Sequence, residues 1–376
     1  MEKKTLTDTE RRDWLRLFRS ENVGPATFLR LIDHFDNAAD AIDAAPDLSR
    51  RGGRKRAIRI AGLAQTEDEI EALNAIGGRM IAICEPDYPE ALAAIHDPPP
   101  VLSVLGNAAR LSRPSVAIVG ARNASAAGRK IARQFAFGIC RDGFEVISGL
   151  ARGIDTAAHG GALDAGFSAT TVAVVAGGVD VGYPKENQGL YERIVEKGAV
   201  IGEQRLGTQP TARHFPPRNR LVSGLSLGTL VIEAALRSGS LITARMALEQ
   251  SREVFSVPGS PLDPRYKGTN GLIRDGGILA ETADDVTSHL LAAAAPRFDQ
   301  PEQPQLKLQP VDSIGDLDTT PVHAQIENLL GPVAVSVDEL LRECQLSPAT
   351  VLTALLELEL AGRLERHPGN RVSLIS

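Results

Sequence analysis

Clustered metal or redox ligands are missing from this sequence. Its three cysteines, Cys84, Cys140 and Cys344, stand far apart, whereas a zinc site or a redox pair needs close spacing such as C-x-x-C. They read as small core residues. The seven histidines are equally scattered, and Asp155 with His159 forms a close acid–histidine pair at helical spacing. Long apolar runs are missing too, since no stretch approaches the roughly 18 to 20 residues of a membrane span. The start, Met1 to Leu6, runs into charged residues with no apolar stretch and no small-residue cleavage site, so no export signal is expected. These absences predict a soluble cytoplasmic protein with neither metal nor membrane partner. Two nucleotide fingerprints are absent as well. Without G-x-G-x-x-G, and with Ser148-Gly149 where a ribose-binding acid belongs, NAD is excluded. Without G-x-x-x-x-G-K-[ST], P-loop ATP hydrolysis is excluded, and no cofactor is expected.

At 376 residues the chain is too long for one core. Residues 1–75 read as a helical domain of the SAM or helix-hairpin-helix type: Trp14, Leu15, Leu17 and Phe18 precede Asn22-Val23-Gly24-Pro25, after which Phe28, Leu29, Ile32 and Phe35 recur at helical spacing. Residues 76–292 alternate short apolar runs, most of them ending at glycine, with helical stretches. That is the pattern of a parallel sheet covered on both faces. The expected fold is therefore α/β, an extended Rossmann-like doubly wound sheet. Residues 293–320, with Pro296, Pro301, Pro304 and Pro310 among polar neighbours, read as a linker. Residues 321–376 give three helical patterns and a Gly369-Asn370 turn, the outline of a winged helix. Its third helix, Ala349 to Ala361, has two glutamates and no Lys, Arg, Asn or Gln, so it is unsuited to reading a major groove and reads as a docking element.

The net charge of −6 speaks against a nucleic-acid partner, but the average conceals a distribution. Residues 111–290 hold 20 basic and 17 acidic residues, against 21 and 30 in the rest. The middle domain is thus the least acidic part.

That domain also carries the site candidates. After the first strand come Gly120-Ala121-Arg122-Asn123-Ala124-Ser125, leading into a helix. The glycine permits close backbone approach, the helix N-terminus offers free N–H donors, and Arg122 and Ser125 add direct donors, which together make a phosphate cradle. The second strand ends in Ser148-Gly149-Leu150-Ala151-Arg152-Gly153-Ile154-Asp155, again open to close approach. Here the Asp155/His159 pair reads as orienting the loop rather than as catalytic. Lys185 follows a proline at the third strand's end as a point charge. His214-Phe215-Pro216-Pro217-Arg218-Asn219-Arg220 sets two arginines beside an aromatic in what reads as a proline-fixed loop, suited to phosphates and stacked bases.

These blocks, with Val119-Gly120-Ala121-Arg122, Tyr183-Pro184-Lys185, Glu233-Ala234, Ser238 to Ala244 and Val257-Pro258-Gly259-Ser260, resemble the DprA/Smf family of DNA-processing proteins over nearly the whole chain. The resemblance implies a homodimer that binds single-stranded DNA without strong sequence preference, hands it to RecA recombinase in natural transformation, and is no enzyme. It further implies DNA contacts at Arg122, Ser125, Lys185, Arg218 and Arg220, and the loops read above add Gly120, Gly149, Phe215, Asn219 and Arg152, the last in either a structural or a binding role, to the expected DNA-binding set. Two departures stand out. Gly202-Glu203-Gln204-Arg205-Leu206-Gly207 replaces the family's usual Ser-Glu-Tyr-Pro-Pro-Gly, and Ala121 stands where serine is common. A competing class with related architecture is the LOG-like nucleotide phosphoribohydrolases, whose P-G-G-x-G-T-x-x-E stretch carries a catalytic glutamate. Here Gly228-Thr229 is followed by Glu233, one residue too far, and the P-G-G turn is absent.

Overall fold

The computed structural model describes residues 3–294, 320–344, 346–367 and 370–375. Most of the linker expected at 293–320, and Gly369 of the expected wing turn, lie outside the described residues. The chain forms two compact units, Met1–Thr5 with Asp68–Ala295, and Leu6–Glu67 with Pro296–Ser376. Four helices open the chain: α1 (Asp8–Phe18), α2 (Pro25–Phe35), α3 (Ala38–Arg51) and α4 (Leu63–Ala75). The first is fixed by a capping box, in which Thr7 accepts from the Glu10 amide and the Glu10 side chain accepts from the Thr7 amide. Pro25 then starts α2 at its first position, where no N–H is missed.

The larger unit is built on nine strands: β1 (Arg79–Ala82), β2 (Val101–Gly106), β3 (Ser115–Gly120), β4 (Glu145–Ser148), β5 (Thr171–Val174), β6 (Ala199–Gly202), β7 (Gly228–Ile232), β8 (Glu253–Ser256) and β9 (Ile278–Leu279). They lie in the order β1-β2-β6-β5-β4-β3-β7-β8-β9. From β6 to β9 all neighbours are parallel, while β2 joins β6 and β1 joins β2 antiparallel. The sheet is thus the expected parallel one with an antiparallel extension. Helices α5 (Glu90–Ala93), α6 (Ala126–Arg141), α7 (Ile154–Asp164), α8 (Gln188–Lys197), α9 (Phe215–Gly224), α10 (Gly239–Glu249) and α11 (Lys267–Arg274) connect the strands, and α12 (Ala283–Ala294) follows the last of them. Successive residues of β3 point to opposite faces: Ala117 and Val119 join the core beneath α9 and α10, Val116 and Ile118 the core beneath α6 and α7. A strand buried on both faces reads as one apolar run, which is why the pattern was legible. Chain order reverses between β3 and β7, because β4 follows β3 on one side and β7 returns on the other. The carboxyl ends of these strands therefore flank the crevice where doubly wound sheets bind ligands.

The second unit joins the two ends of the chain. Its C-terminal part contains α13 (Thr320–Leu329), α14 (Val337–Cys344) and α15 (Pro348–Leu360), and a small sheet of β10 (Val335–Ser336), β11 (Leu364–His367) and β12 (Arg371–Leu374) in the order β10-β12-β11. Three helices and an antiparallel wing make the expected winged helix. Helix α15 lies on α2 and α3, and the two glutamates that suit it so poorly to DNA are pins in that contact. Glu359 accepts from Thr27 Oγ1 at 2.7 Å and from Arg366 Nε at 3.0 Å. Burial raises its carboxyl above the usual range, with Thr27 and Arg30 opposing. Glu357 is fully buried, 2.7 Å from His323 Nε2, with Arg51 of α3 at 4.0 Å. Asn22, in the turn between α1 and α2, donates to the Leu360 carbonyl at 3.0 Å. No helix among the described residues is long and apolar enough to cross a membrane.

Candidate functional site

Strand β3 delivers the chain to the crevice at Gly120, where a Cβ would lie 1.8 Å from the Ile232 carbonyl oxygen. The glycine is required by the packing of β3 on β7. Ser125 caps α6 by accepting from the Gly128 amide at 2.9 Å, and its hydroxyl donates to Glu233 Oε1. The Ser125 amide donates to Glu233 Oε2 at 2.8 Å. Sequence reasoning offered Ser125 as a ligand donor, but the hydroxyl and the helix-end amide are already spent on a buried carboxylate. Glu233 itself sits at φ 52, a strained left-handed position for a side-chain-bearing residue, and also accepts from Tyr266 Oη at 3.2 Å. A carboxylate so fully engaged inside the fold is poorly placed to polarise a ribose.

The second loop is shaped by Asp155, whose Oδ2 accepts from the Gly149 and Ala151 amides at 3.1 and 3.3 Å. Asn187 reaches back to the Leu150 carbonyl at 2.9 Å and so supports Leu150 at φ 56. Beneath this loop lies Arg218. A Cβ at Gly149 would stand 1.6 Å from Arg218 Nη1, so only glycine leaves room for the guanidinium. Arg218 Nη1 donates to the Val174 carbonyl at 3.1 Å, and Nε, though buried, has no partner among the described residues. Burial pulls this guanidinium down to about 10, against the attraction of Asp155 and with added repulsion from Arg122. Asp155 is pushed up by burial, with Arg218 opposing. His159, also buried, holds Thr171 Oγ1 at 2.7 Å through Nδ1 and falls to about 3 through burial and the Arg218 charge. Asp155 thus orders the loop, while His159 is engaged with Thr171 of β5 instead of with the loop.

Arg122 emerges above this floor, its guanidinium carbon 4.7 Å from the centre of the Phe215 ring, while Arg218 lies 5.9 Å from the same ring. Tyr183 adds a second ring, with centroids 6.2 Å apart. This group of arginines and aromatics lines a cavity of about 1220 Å³ that also includes Asn219, Arg237, Ser238, Ser240 and Arg265. A smaller one of about 390 Å³, containing Gly149 and Arg152, shares Arg122, Asn123, Ala151, Tyr183 and Phe215 with it. Lys185 is exposed at the end of the third strand's loop. Arg152, likewise exposed, pairs with Glu186 at 2.5 Å.

Arg220 is the correction. Expected beside Arg218 in a proline-fixed loop, it lies on helix α9, which Pro216 and Pro217 start instead of preventing. Two residues apart on a helix is about 200° of rotation. Arg220 thus turns away, buried against Glu203 and with Nε 3.2 Å from Asp97. Glu203 belongs to the segment that departs from the family's usual sequence. Arg237 and Arg265 lie in the cavity wall without having been singled out, and Tyr183, quoted only as part of a block, lies there too. Arg237 does adjoin Ser238-Gly239-Ser240, one of the quoted blocks, where Ser238 caps α10. Among the described residues no group of three or more His, Cys, Asp or Glu is arranged to hold a metal.

Comparison with known proteins agrees with this architecture. Residues 79–291 match the family model of DNA recombination-mediator protein A, 8–72 the DprA-like N-terminal HHH domain, and 313–370 the DprA winged helix domain. Protein Smf of Synechocystis sp. is 31% identical over 97% of this chain and 99% of its own. DNA processing protein DprA of Bacillus subtilis is 41% identical over 57% of this chain and 72% of its own. The X-ray structure of DNA processing protein A from Streptococcus pneumoniae superposes with a TM-score of 0.63 at 32% identity, covering 76% of this chain and 98% of that one. The Helicobacter pylori protein, described for its single-stranded DNA binding mode, gives 0.52 at 27% identity over 57% of this chain and 96% of that one. By these matches, which together span all three segments, the chain belongs to the DprA/Smf family.

Proposed function

We propose that the crevice binds the backbone and bases of single-stranded DNA, and that the chain, as a homodimer, passes this DNA to RecA recombinase during DNA uptake without chemistry of its own. The observation that carries this reading is the stack of Arg122 on Phe215 above the buried Arg218, at the mouth of a cavity of about 1220 Å³. Phosphates are met by cations, and bases of any sequence stack on rings. In this reading Arg122 and Lys185 meet phosphates, Phe215 and Tyr183 offer ring faces, Asn219 lines the wall, and Gly149 and Arg218 form the floor. Gly120 and Ser125 shape the loop from behind, Arg152 is held at the rim by Glu186, and Arg220 braces α9. Delivery to RecA and dimerisation rest on membership of the family.

Titration against single- and double-stranded DNA of equal length across salt concentrations tests this. Three to five phosphate contacts predict a log–log slope of roughly −2 to −4 on single strands, at about 0.7 per contact. Arg122→Ala should weaken all sequences alike and flatten that slope by nearly one unit. A salt-independent affinity, or a slope and affinity untouched in the variant, would remove Arg122 from the interface. The phosphoribohydrolase alternative is tested by incubation with nucleoside monophosphates. We expect no free base above the buffer background, and steady release would revive that class.

A further inference from the structure

Residues 50–59, Arg-Arg-Gly-Gly-Arg-Lys-Arg-Ala-Ile-Arg, hold six basic residues and no acidic one, in a chain whose net charge is −6. Arg50, Arg51, Lys55, Arg56 and Arg59 are exposed, and Arg54 is half-buried. The segment is the end of α3 and the irregular loop after it. A merely solvated surface usually intersperses both signs. Here the counter-charges sit at the edges: Asp47 pairs with Arg50, Glu21 lies 2.5 Å from Arg54, and Glu357 lies 4.0 Å from Arg51. Lys55 and Arg56 have no carboxylate partner among the described residues.

The winged helix holds this loop in place. A Cβ at Gly52 would lie 2.0 Å from the Glu357 carbonyl oxygen, so the α15 backbone rests directly on the turn. At Gly53, φ +88, the same construction meets Arg363 Nη1 at 2.8 Å. Arg363, half-exposed and paired with Glu327, thereby adds a further cation to the cluster. The nearby turn between α1 and α2, whose amides a helix-hairpin-helix offers to phosphate, has its Glu21 and Val23 amides engaged within the fold and its Asn22 side chain tied down. Asn22 is tied to Leu360, the Val23 amide to the Ser20 carbonyl at 3.3 Å, and the Glu21 amide to the Arg59 carbonyl at 3.1 Å.

We propose that the loop 50–59, buttressed by α15 and extended by Arg363, is a second nucleic-acid contact, which takes the phosphodiester backbone without regard to sequence. Its chemistry is that of a row of flexible point charges with no aromatic ring, so it grips phosphates and reads no base. The winged helix acts here as scaffold for this loop, in place of reading DNA with its own third helix. The contact does not depend on the crevice.

The test is Lys55→Glu/Arg56→Glu in the full-length protein, both sites being exposed and unpaired so that folding is undisturbed. Binding of a long homopolymeric single strand and of a duplex of equal length is followed across salt concentrations, in the parent and in an Arg122→Ala background. We expect affinity to fall at least tenfold on one or both polymers, and the magnitude of the log–log slope to shrink by about 1 to 2, at 0.7 to 0.9 per contact. The fractional loss should be the same in both backgrounds, because separate sites add. A loss confined to one polymer identifies which nucleic acid the loop takes. Unchanged affinity and slope on both polymers in both backgrounds would overturn the proposal. If Arg122→Ala has no effect while the loop variant does, the crevice reading falls and this one stands.

Discussion

Arg218→Ala is expected to unfold at a clearly lower denaturant concentration than the parent, with a loss of about 1 to 3 kcal/mol, the scale for leaving the partners of a buried polar group unsatisfied. The guanidinium lies under the Gly149 backbone, is nearly inaccessible, and opposes the burial of Asp155. Without it Asp155 loses the nearby positive charge that opposes the cost of its burial, and the loop it orders loses its floor. The double variant Arg218→Ala/Asp155→Ala should recover part of the loss, because no charge is then left uncompensated. Arg218→Lys keeps the charge but not the planar fork that reaches the Val174 carbonyl, so it should fall between parent and alanine. Urea unfolding followed by circular dichroism distinguishes these cases. Equal midpoints for the parent and Arg218→Ala would show that the buried charge does no structural duty.

The second large effect is a dependence of stability on pH that originates at His159. In the unfolded chain this imidazole takes a proton near 6.5. In the folded protein, burial and the Arg218 charge delay that to about 3. Between those values the unfolded state binds more protons, so stability falls as the pH drops, by up to about 1.4 kcal/mol per unit. The contribution is complete above pH 6.5 and is lost progressively as pH falls from there toward 3. Its sum is on the order of 4 to 5 kcal/mol. Asp155 works in the opposite sense, since its raised carboxyl favours the folded state in acid. The difference between the parent and His159→Gln therefore isolates the histidine. Unfolding free energies measured between pH 7 and pH 4 should converge for the two proteins as the pH falls. Parallel curves would mean that His159 is not held neutral.

What could be read from the sequence follows from where the burial lies. β3 to β8 are buried on both faces and announce themselves as apolar runs, and the strand ends carry Gly120, Gly149 and the Gly177-Gly178 pair, so the crevice was legible. β1 and β2 were not: Arg79-Met80-Ile81-Ala82 is too short to show a period, and the antiparallel join of β2 to β6 is a long-range pairing without local signature. The arginines of α9 show the same limit more sharply. Phe215-Pro216-Pro217-Arg218-Asn219-Arg220 contains prolines that suit either a rigid loop or a helix start, and the choice decides whether the two guanidiniums point the same way. Charge alone was incomplete at α15 in another manner. Its glutamates do make it unsuited to a phosphate backbone, but only the structure places Glu357 and Glu359 against α2 and α3, residues more than 300 positions earlier.

That pairing of the two chain ends bears on the order of biosynthesis. The unit of residues 6–67 and 296–376 is interrupted by the whole α/β unit. A ribosome adding about 5 to 20 residues per second needs roughly 15 to 60 s to travel from the end of the first part to the last residue. For that interval α2 and α3 exist without α15, and Thr27, Arg30 and the Gly52 turn await partners not yet made. The α/β unit, contiguous apart from a five-residue N-terminal piece, can complete its sheet while the bipartite unit still awaits its second part. Loss of α15 would thus be felt also at the N-terminal helices, more than 300 residues earlier.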